Sequence, residues 1–252
     1  MAGSRGKADP LADNAAVSHK CLVDVAGTSM LIRVIETLEA ASEVKRIVLC
    51  VESSFQNIPV LNERIARRTL TRLDAANSPA ASALKACDEL EDGYPLLIVT
   101  ADSPLLSTEM VSHFCSRANA SDVVVGLASA ERVLQKYPNA TRTLLKFSDG
   151  ARCGCNLFAL NNARARRAVK FWRALEAERK RPWKMIRVLG PWTLVCYVFG
   201  RLSLDKTLAS LSSKLEIEAR AVDMPFAEAA IDVDKPADLV LVESIVRERE
   251  QD

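Results

Sequence analysis

The chain has 252 residues with 34 Lys and Arg against 32 Asp and Glu, and the formal charge of +2 excludes a globally basic nucleic-acid binder and an acidic disordered chain. A share of 49% hydrophobic and 26% charged residues suits a globular chain with a large core, while 5% aromatics and 9 glycines point to aliphatic helices and strands in layers, not a Gly-rich barrel. The seven cysteines are scattered without a CxxC pair and His19 and His113 are the only histidines, so structural zinc lacks ligands and the thiols read as core hydrophobes of a cytoplasmic protein.

After a loop-like start, Cys21 to Val25 reads as a short strand, Gly27 as a turn, and Ser29 as the N-cap of a helix whose Met30, Leu31, Val34, Ile35 and Leu38 recur at helical spacing. Ile47 to Val51 follows as a continuous apolar run, the pattern of a strand covered on both faces in a parallel sheet. Leu96 to Val99 and Val123 to Val125 repeat it, and helical patterns lie between them at Ala80 to Leu90 and at Thr108 to Arg117, the latter capped by Ser107. From Leu144 to Phe147 a strand leads through Ser148-Asp149-Gly150 into Ala151-Arg152, a hairpin pattern that makes the sheet mixed. A helical excursion then runs from Ala163 to Leu215, with breakers at Pro182, Gly190, Pro191 and Gly200. The chain returns through short strands at Ala219 to Asp223 and Ile231 to Val233 and closes with a helix from Pro236 to Arg249. The apolar run Val188 to Phe199 is broken by Gly190 and Pro191 and falls short of the roughly 20 residues that span a bilayer. The expectation is a single α/β domain over residues 1–252, doubly wound on a mostly parallel mixed sheet, with a helical insertion at about 163–215.

Ligands of open α/β sheets gather beyond the carboxyl ends of the strands, and Asp102 lies there, just past Leu96 to Thr100. Asp232 and Asp234 flank Val233 at period two, so both point to one side of an extended segment, where they can converge on Asp102. Carboxylates that hold a hard cation among phosphate oxygens are the usual way a protein engages Mg²⁺. The competing reading is helix capping, because Ser103, Ser107 and Asp234 all precede helices. Ala2-Gly3-Ser4-Arg5-Gly6-Lys7 offers small residues and two cations to a phosphate, though a loose chain start has the same composition. Lys20 suits a phosphate or a strand edge, and Asn77 to Ser82 suits a base contact or a turn and cap.

The order of these segments resembles the MobA-like nucleotidyltransferases, a Rossmann-like branch of the glycosyltransferase-A fold. The resemblance rests on Ala2-Gly3-Ser4-Arg5-Gly6, then Lys20-Cys21-Leu22 with Gly27-Thr28-Ser29-Met30-Leu31, then Ala101-Asp102-Ser103-Pro104-Leu105-Leu106, and last Asp232-Val233-Asp234-Lys235-Pro236-Ala237-Asp238-Leu239. It implies transfer of a nucleoside monophosphate from an NTP to a phosphorylated or hydroxyl acceptor, with release of pyrophosphate. It also implies that Ala2, Gly3, Ser4, Arg5 and Lys20 serve the triphosphate, Ser82 the base, Gly154 and Asn156 the acceptor, and Asp102 with Asp234, then Asp232, a Mg²⁺ ion. Arg5, Lys20 and Asp102 are the catalytic candidates. A molybdenum cofactor guanylyltransferase is the specific form of this reading, and a non-catalytic binding or scaffold protein is its rival. Two departures stand out: Lys235 replaces the usual Thr, and the family's hydrophobic first strand is expected to be missing, since Met1 stands where its last residue would be.

Within the excursion, Arg164, Arg166, Arg167, Lys170, Arg173, Arg179, Lys180, Arg181, Lys184 and Arg187 surround Phe171, Trp172 and Trp183. We read this as a solvated helical face, ahead of an acceptor grip or a peripheral membrane contact. No nucleic-acid-binding module accompanies it.

Overall fold

The computed structural model describes residues 1–2, 9–52, 55, 59–67, 70–90, 93–178 and 202–251. Asp9 accepts a hydrogen bond from Leu11 N and so caps α1 (Pro10–Asn14), with Pro10 in the first turn, where no backbone donor is needed. The strand expected at 21–25 is instead a 3₁₀ turn, Lys20–Leu22, followed by a two-residue ribbon, β1 (Asp24–Val25) and β2 (Thr28–Ser29). The difference has a physical source, because Cys21, Val23 and Val25 are all buried and imitate the period of a strand. Gly27 closes the ribbon at φ +85°, a left-handed conformation suited to glycine.

Helix α2 (Met30–Ala40) follows as expected, and its apolar stripe is wide enough to serve two cores. Met30 and Val34 join the main core, whereas Leu31 and Ile35 join a second one with Leu49, Val51, Leu61 and Leu70. That second core sits on β3 (Ile47–Val51), which runs parallel to β4 (Leu70–Asp74) after the crossover helix α3 (Pro59–Ala66). Neither α3 nor β4 is legible in the sequence: within β4 only Leu70 and Leu73 are buried, and Arg72 interrupts the apolar pattern.

The larger sheet has five strands, β5 (Leu96–Val99), β6 (Val123–Ser129), β7 (Leu144–Phe147), β8 (Gly150–Leu160) and β9 (Ala219–Asp223). β8 runs against β5, β6 and β7, while β6 and β9 are parallel, so the sheet is mixed, as the hairpin pattern implied. Between β3 and β5 lie Met1 and Ala2. Ala2 N donates to Cys50 O (3.0 Å), Met1 N to Val99 O (2.7 Å) and Ala101 N to Met1 O (3.0 Å). The helices between strands, α4 (Pro79–Glu89), α5 (Thr108–Ala118) and α6 (Ala130–Lys136), begin at Ser78, Ser107 and Ser129, each of which accepts a backbone N–H with its hydroxyl.

The excursion begins with the 3₁₀ turn Ala163–Ala165 and α7 (Arg166–Glu178) and ends with α8 (Leu204–Leu215); residues 179–201 lie outside the described residues. Three of its described cations are tied to neighbours: Arg164 pairs with Asp122, Arg166 with Asp88 and Arg167 with Glu216. Trp172 stacks on Phe158 at 6.1 Å, which is packing. The strand expected at Ile231 to Val233 is absent; the segment is extended but makes no ladder, and Val233 N bonds Asp102 O (2.9 Å) instead. The closing helix α9 (Pro236–Arg249) is as expected.

Cys21, Cys50, Cys87, Cys115, Cys153 and Cys155 are free thiols, and burial pushes Cys21 and Cys155 up to about 12, so both are inert core groups. Cys196 lies outside the described residues. Among the described residues no helix is long and apolar enough to cross a membrane.

Asp122 joins the return of the excursion to the sheet. Its carboxylate accepts from Asn162 Nδ2 (2.6 Å), Arg164 (3.0 Å) and Glu218 N (2.7 Å). Burial works against its charge, but these donors outweigh burial and hold it below the ordinary Asp range. Its contribution to stability is therefore complete above the unfolded-state pKa of about 3.9 and is lost as pH falls through the lower folded value. In melts from pH 7 to pH 2, wild type should lose more stability than Asp122→Asn; equal losses contradict this.

Candidate functional site

The site is built where β5 ends. Asp102 sits in the turn after that strand, and the extended segment before α9 is hung on the same turn by the bond from Val233 N to Asp102 O. Period-two spacing then brings Asp232 and Asp234 to the side of Asp102, and an oxygen from each of the three carboxylates lies within 4.8 Å of the others. The 3₁₀ turn delivers Lys20 into this group. Its ammonium donates to Asp102 Oδ2 (2.8 Å) and to Asp234 Oδ1 (2.7 Å). Burial disfavours the lysine charge, yet the two carboxylates outweigh burial and hold Lys20 above the usual lysine range.

The N-cap residue of α9 is Lys235, not Asp234. Ser107 caps α5, and α9 is capped from within by Asp238, whose Oδ2 accepts from Asp234 N (3.1 Å) and Lys235 N (2.9 Å). The Asp234 carboxylate itself reaches Lys20. Asp102 Oδ1 is buried and lacks a hydrogen-bond partner, which is costly for a carboxylate unless a donor or a cation completes it.

Asp232 has a different environment. Its Oδ1 accepts from Arg142 Nη1, which also bonds the Asp232 carbonyl (2.9 Å), and its Oδ2 accepts from Asn156 Nδ2 (3.2 Å). Arg142 is almost fully buried and uses its other terminal nitrogen, Nη2, on Asp238. Burial, then Asp102 and Asp234, push the Asp232 pKa up, and Arg142 and Asn156 pull against them. Asn156 reaches the group because β8 bulges: residues 154 and 158 oppose 127 and 125, and Asn156 within the bulge has φ +53°.

Of the other residues singled out from the sequence, Gly3, Ser4 and Arg5 lie outside the described residues. Ala2 is buried with its N–H on Cys50 O. Ser82 is buried, and its hydroxyl both accepts from Ala76 N (2.9 Å) and reaches Ala76 O (3.4 Å), which shapes the loop before α4. Gly154 faces open space at the edge of the bulge. Sequence reasoning missed Arg142: it stands alone in the loop before β7, with no motif around it, and its importance comes from the fold of residues 232–238 against it.

A family model described as a MobA-like NTP transferase domain matches residues 14–191. Among solved structures, a hypothetical transferase from Thermus thermophilus is similar at 28% identity and a TM-score of 0.77, over 94% of this chain and 97% of that one. A 2-C-methyl-D-erythritol 4-phosphate cytidylyltransferase, also from Thermus thermophilus, shares the fold at 15% identity and a TM-score of 0.54, over 90% of this chain and 94% of that one. A 4-diphosphocytidyl-2C-methyl-D-erythritol synthase from Anaerococcus prevotii does so at 10% identity and 0.56, over 92% and 93%. No curated protein matches the chain.

Proposed function

Because the chain belongs to the MobA-like NTP transferase family, we propose that it transfers a nucleoside monophosphate from an NTP to a phosphorylated or hydroxyl acceptor, in a Mg²⁺-dependent reaction that releases pyrophosphate. The observation that carries this reading is the bridge of Lys20 between Asp102 and Asp234 at the end of β5. It gathers an ammonium and a set of carboxylates at the place where an α/β sheet receives its ligand.

The donor set suits magnesium: carboxylate oxygens are hard ligands, those of Asp102 and Asp234 lie within 4.8 Å of each other, and the buried Asp102 Oδ1 is left without a hydrogen-bond partner. Asp102 and Asp234 would hold the ion. Bound there, it would neutralise phosphate oxygens and orient the triphosphate. The acceptor oxygen attacks the α-phosphorus, the bond from that phosphorus to the bridging oxygen of the β-phosphate breaks, pyrophosphate carries the electron pair away, and a hydroxyl acceptor gives up its proton to solvent. Such transfer depends mainly on positioning and charge. Lys20 supplies a fixed ammonium for the α-phosphate, and Gly3, Ser4 and Arg5 are assigned to the triphosphate. Ala2, which precedes them in the chain, bonds Cys50 O of β3 through its N–H. Ser82 contributes to base recognition through the loop it shapes, and Gly154 and Asn156 lie on the acceptor side. The chain acts as one domain in this reading, since β9 and α9 rejoin the sheet and the Asp102 turn after the insertion.

The test is pyrophosphate release from a panel of NTPs with phosphate monoesters and alcohols as acceptors. Activity should vanish in EDTA and return with excess Mg²⁺. Full turnover in EDTA overturns the metal assignment, and no release with any pair overturns the activity.

A further inference from the structure

Three acidic side chains meet at the site, but their surroundings are unequal. Asp102 keeps a buried oxygen without a partner, and Asp234 is about half exposed and meets Lys20. Asp232, by contrast, has one oxygen on Arg142 and the other on Asn156. A carboxylate whose two oxygens each accept from a buried or half-buried donor keeps fewer lone pairs for a cation and is held in one orientation by those bonds.

Arg142 does more than neutralise Asp232. Its side chain is only 5% exposed, and the fork grips the Asp232 carbonyl and carboxylate on one side and Asp238 on the other. Asp238 in turn receives the N–H groups of Asp234 and Lys235. The backbone that carries Asp234 is thus held at both ends of a single guanidinium, with Val233 N on Asp102 O between them. A lysine cannot reproduce this geometry, because an ammonium has no planar fork.

We propose that Arg142 is a positioning residue: with Asn156 it converts Asp232 from a cation ligand into a latch, and it aims Asp234 at the cation shared with Asp102. The proposal rests on the metal reading of the site given above. It makes a prediction whose sign separates positioning from simple charge. Removing a nearby cation should strengthen the binding of another cation if only Coulomb forces matter. Removing a residue that orients a ligand weakens metal binding, typically 10- to 100-fold.

The experiment measures Mn²⁺ binding, without nucleotide, by electron paramagnetic resonance on the whole chain, with a thermal melt of each variant. Asp102→Asn should weaken Mn²⁺ binding at least about tenfold. Asp232→Asn, which keeps the shape and an acceptor for Arg142, should stay within about threefold of wild type, well under that loss. Arg142→Met should weaken binding about tenfold although it makes the site more negative, and Arg142→Lys, which restores the charge without the fork, should recover only part of the loss. Tighter Mn²⁺ binding by Arg142→Met overturns the proposal, as does a loss in Asp232→Asn as large as in Asp102→Asn. Should Arg142→Met fail to fold, the Lys variant and Asp232→Asn decide the question alone. Unchanged binding in Asp102→Asn removes the metal reading itself, and the latch with it.

Discussion

Replacing Asp102 with Asn is expected to lower pyrophosphate release by about 10² to 10³, the loss that follows removal of one preorganised electrostatic group, worth roughly 2.7 to 4 kcal/mol in the transition state. The substitution is nearly isosteric, so the turn after β5 keeps its shape and the Asp102 carbonyl still receives Val233 N. What changes is charge. The amide removes half of the carboxylate pair that holds Lys20, and it turns the buried oxygen without a partner into a poor ligand for a hard cation. The loss should therefore fall mainly on kcat, with the melting temperature close to wild type. A variant that keeps wild-type turnover shows that Asp102 is an ordinary turn residue.

The second large effect concerns stability. Phe114 on α5 is fully buried at the centre of the main core, and Gly126 of β6 makes room for it: a Cβ there would lie 3.5 Å from the Phe114 ring, 3.5 Å from Met224 and 3.2 Å from Leu157. Truncating such a ring leaves a cavity that tight surroundings cannot fill, so Phe114→Ala should cost about 3 to 5 kcal/mol. For a chain of this size that corresponds to a fall in melting temperature of roughly 6 to 20 °C. Calorimetry checks it, and a shift below about 2 °C, less than a single kcal/mol is worth at this size, would mean that the core around the β8 bulge is loosely packed.

The strands and helices that bury a continuous face were legible in the sequence. Ile47 to Val51 and Val123 to Val125 announce themselves by unbroken apolar runs, and Ser107 and Ser29 mark helix starts that the structure reproduces. Elements with few buried positions were not. β4 carries only two buried residues, and at Ile231 to Val233 alternating burial was produced by a segment hung on a turn, not by a ladder. The acidic group shows the same division. Asp102, Asp232 and Asp234 follow from strand ends and period-two spacing, but their inequality depends on Arg142, which is 90 positions from Asp232 in sequence and marked by no motif. The Asn156 side chain was placed on the acceptor side by resemblance, while its bond to Asp232 depends on a bulge that no local pattern reveals.

The central claim is that the group around Lys20, Asp102 and Asp234 transfers a nucleotidyl unit. It is tested most directly by following the label from α-³²P and γ-³²P NTPs with phosphate monoester and alcohol acceptors in the presence of Mg²⁺. The account predicts that label from the α position passes to the acceptor, that γ label leaves as pyrophosphate, and that Asp102→Asn suppresses both. Transfer of the γ label to the acceptor, or α-label transfer undiminished in Asp102→Asn, would contradict it.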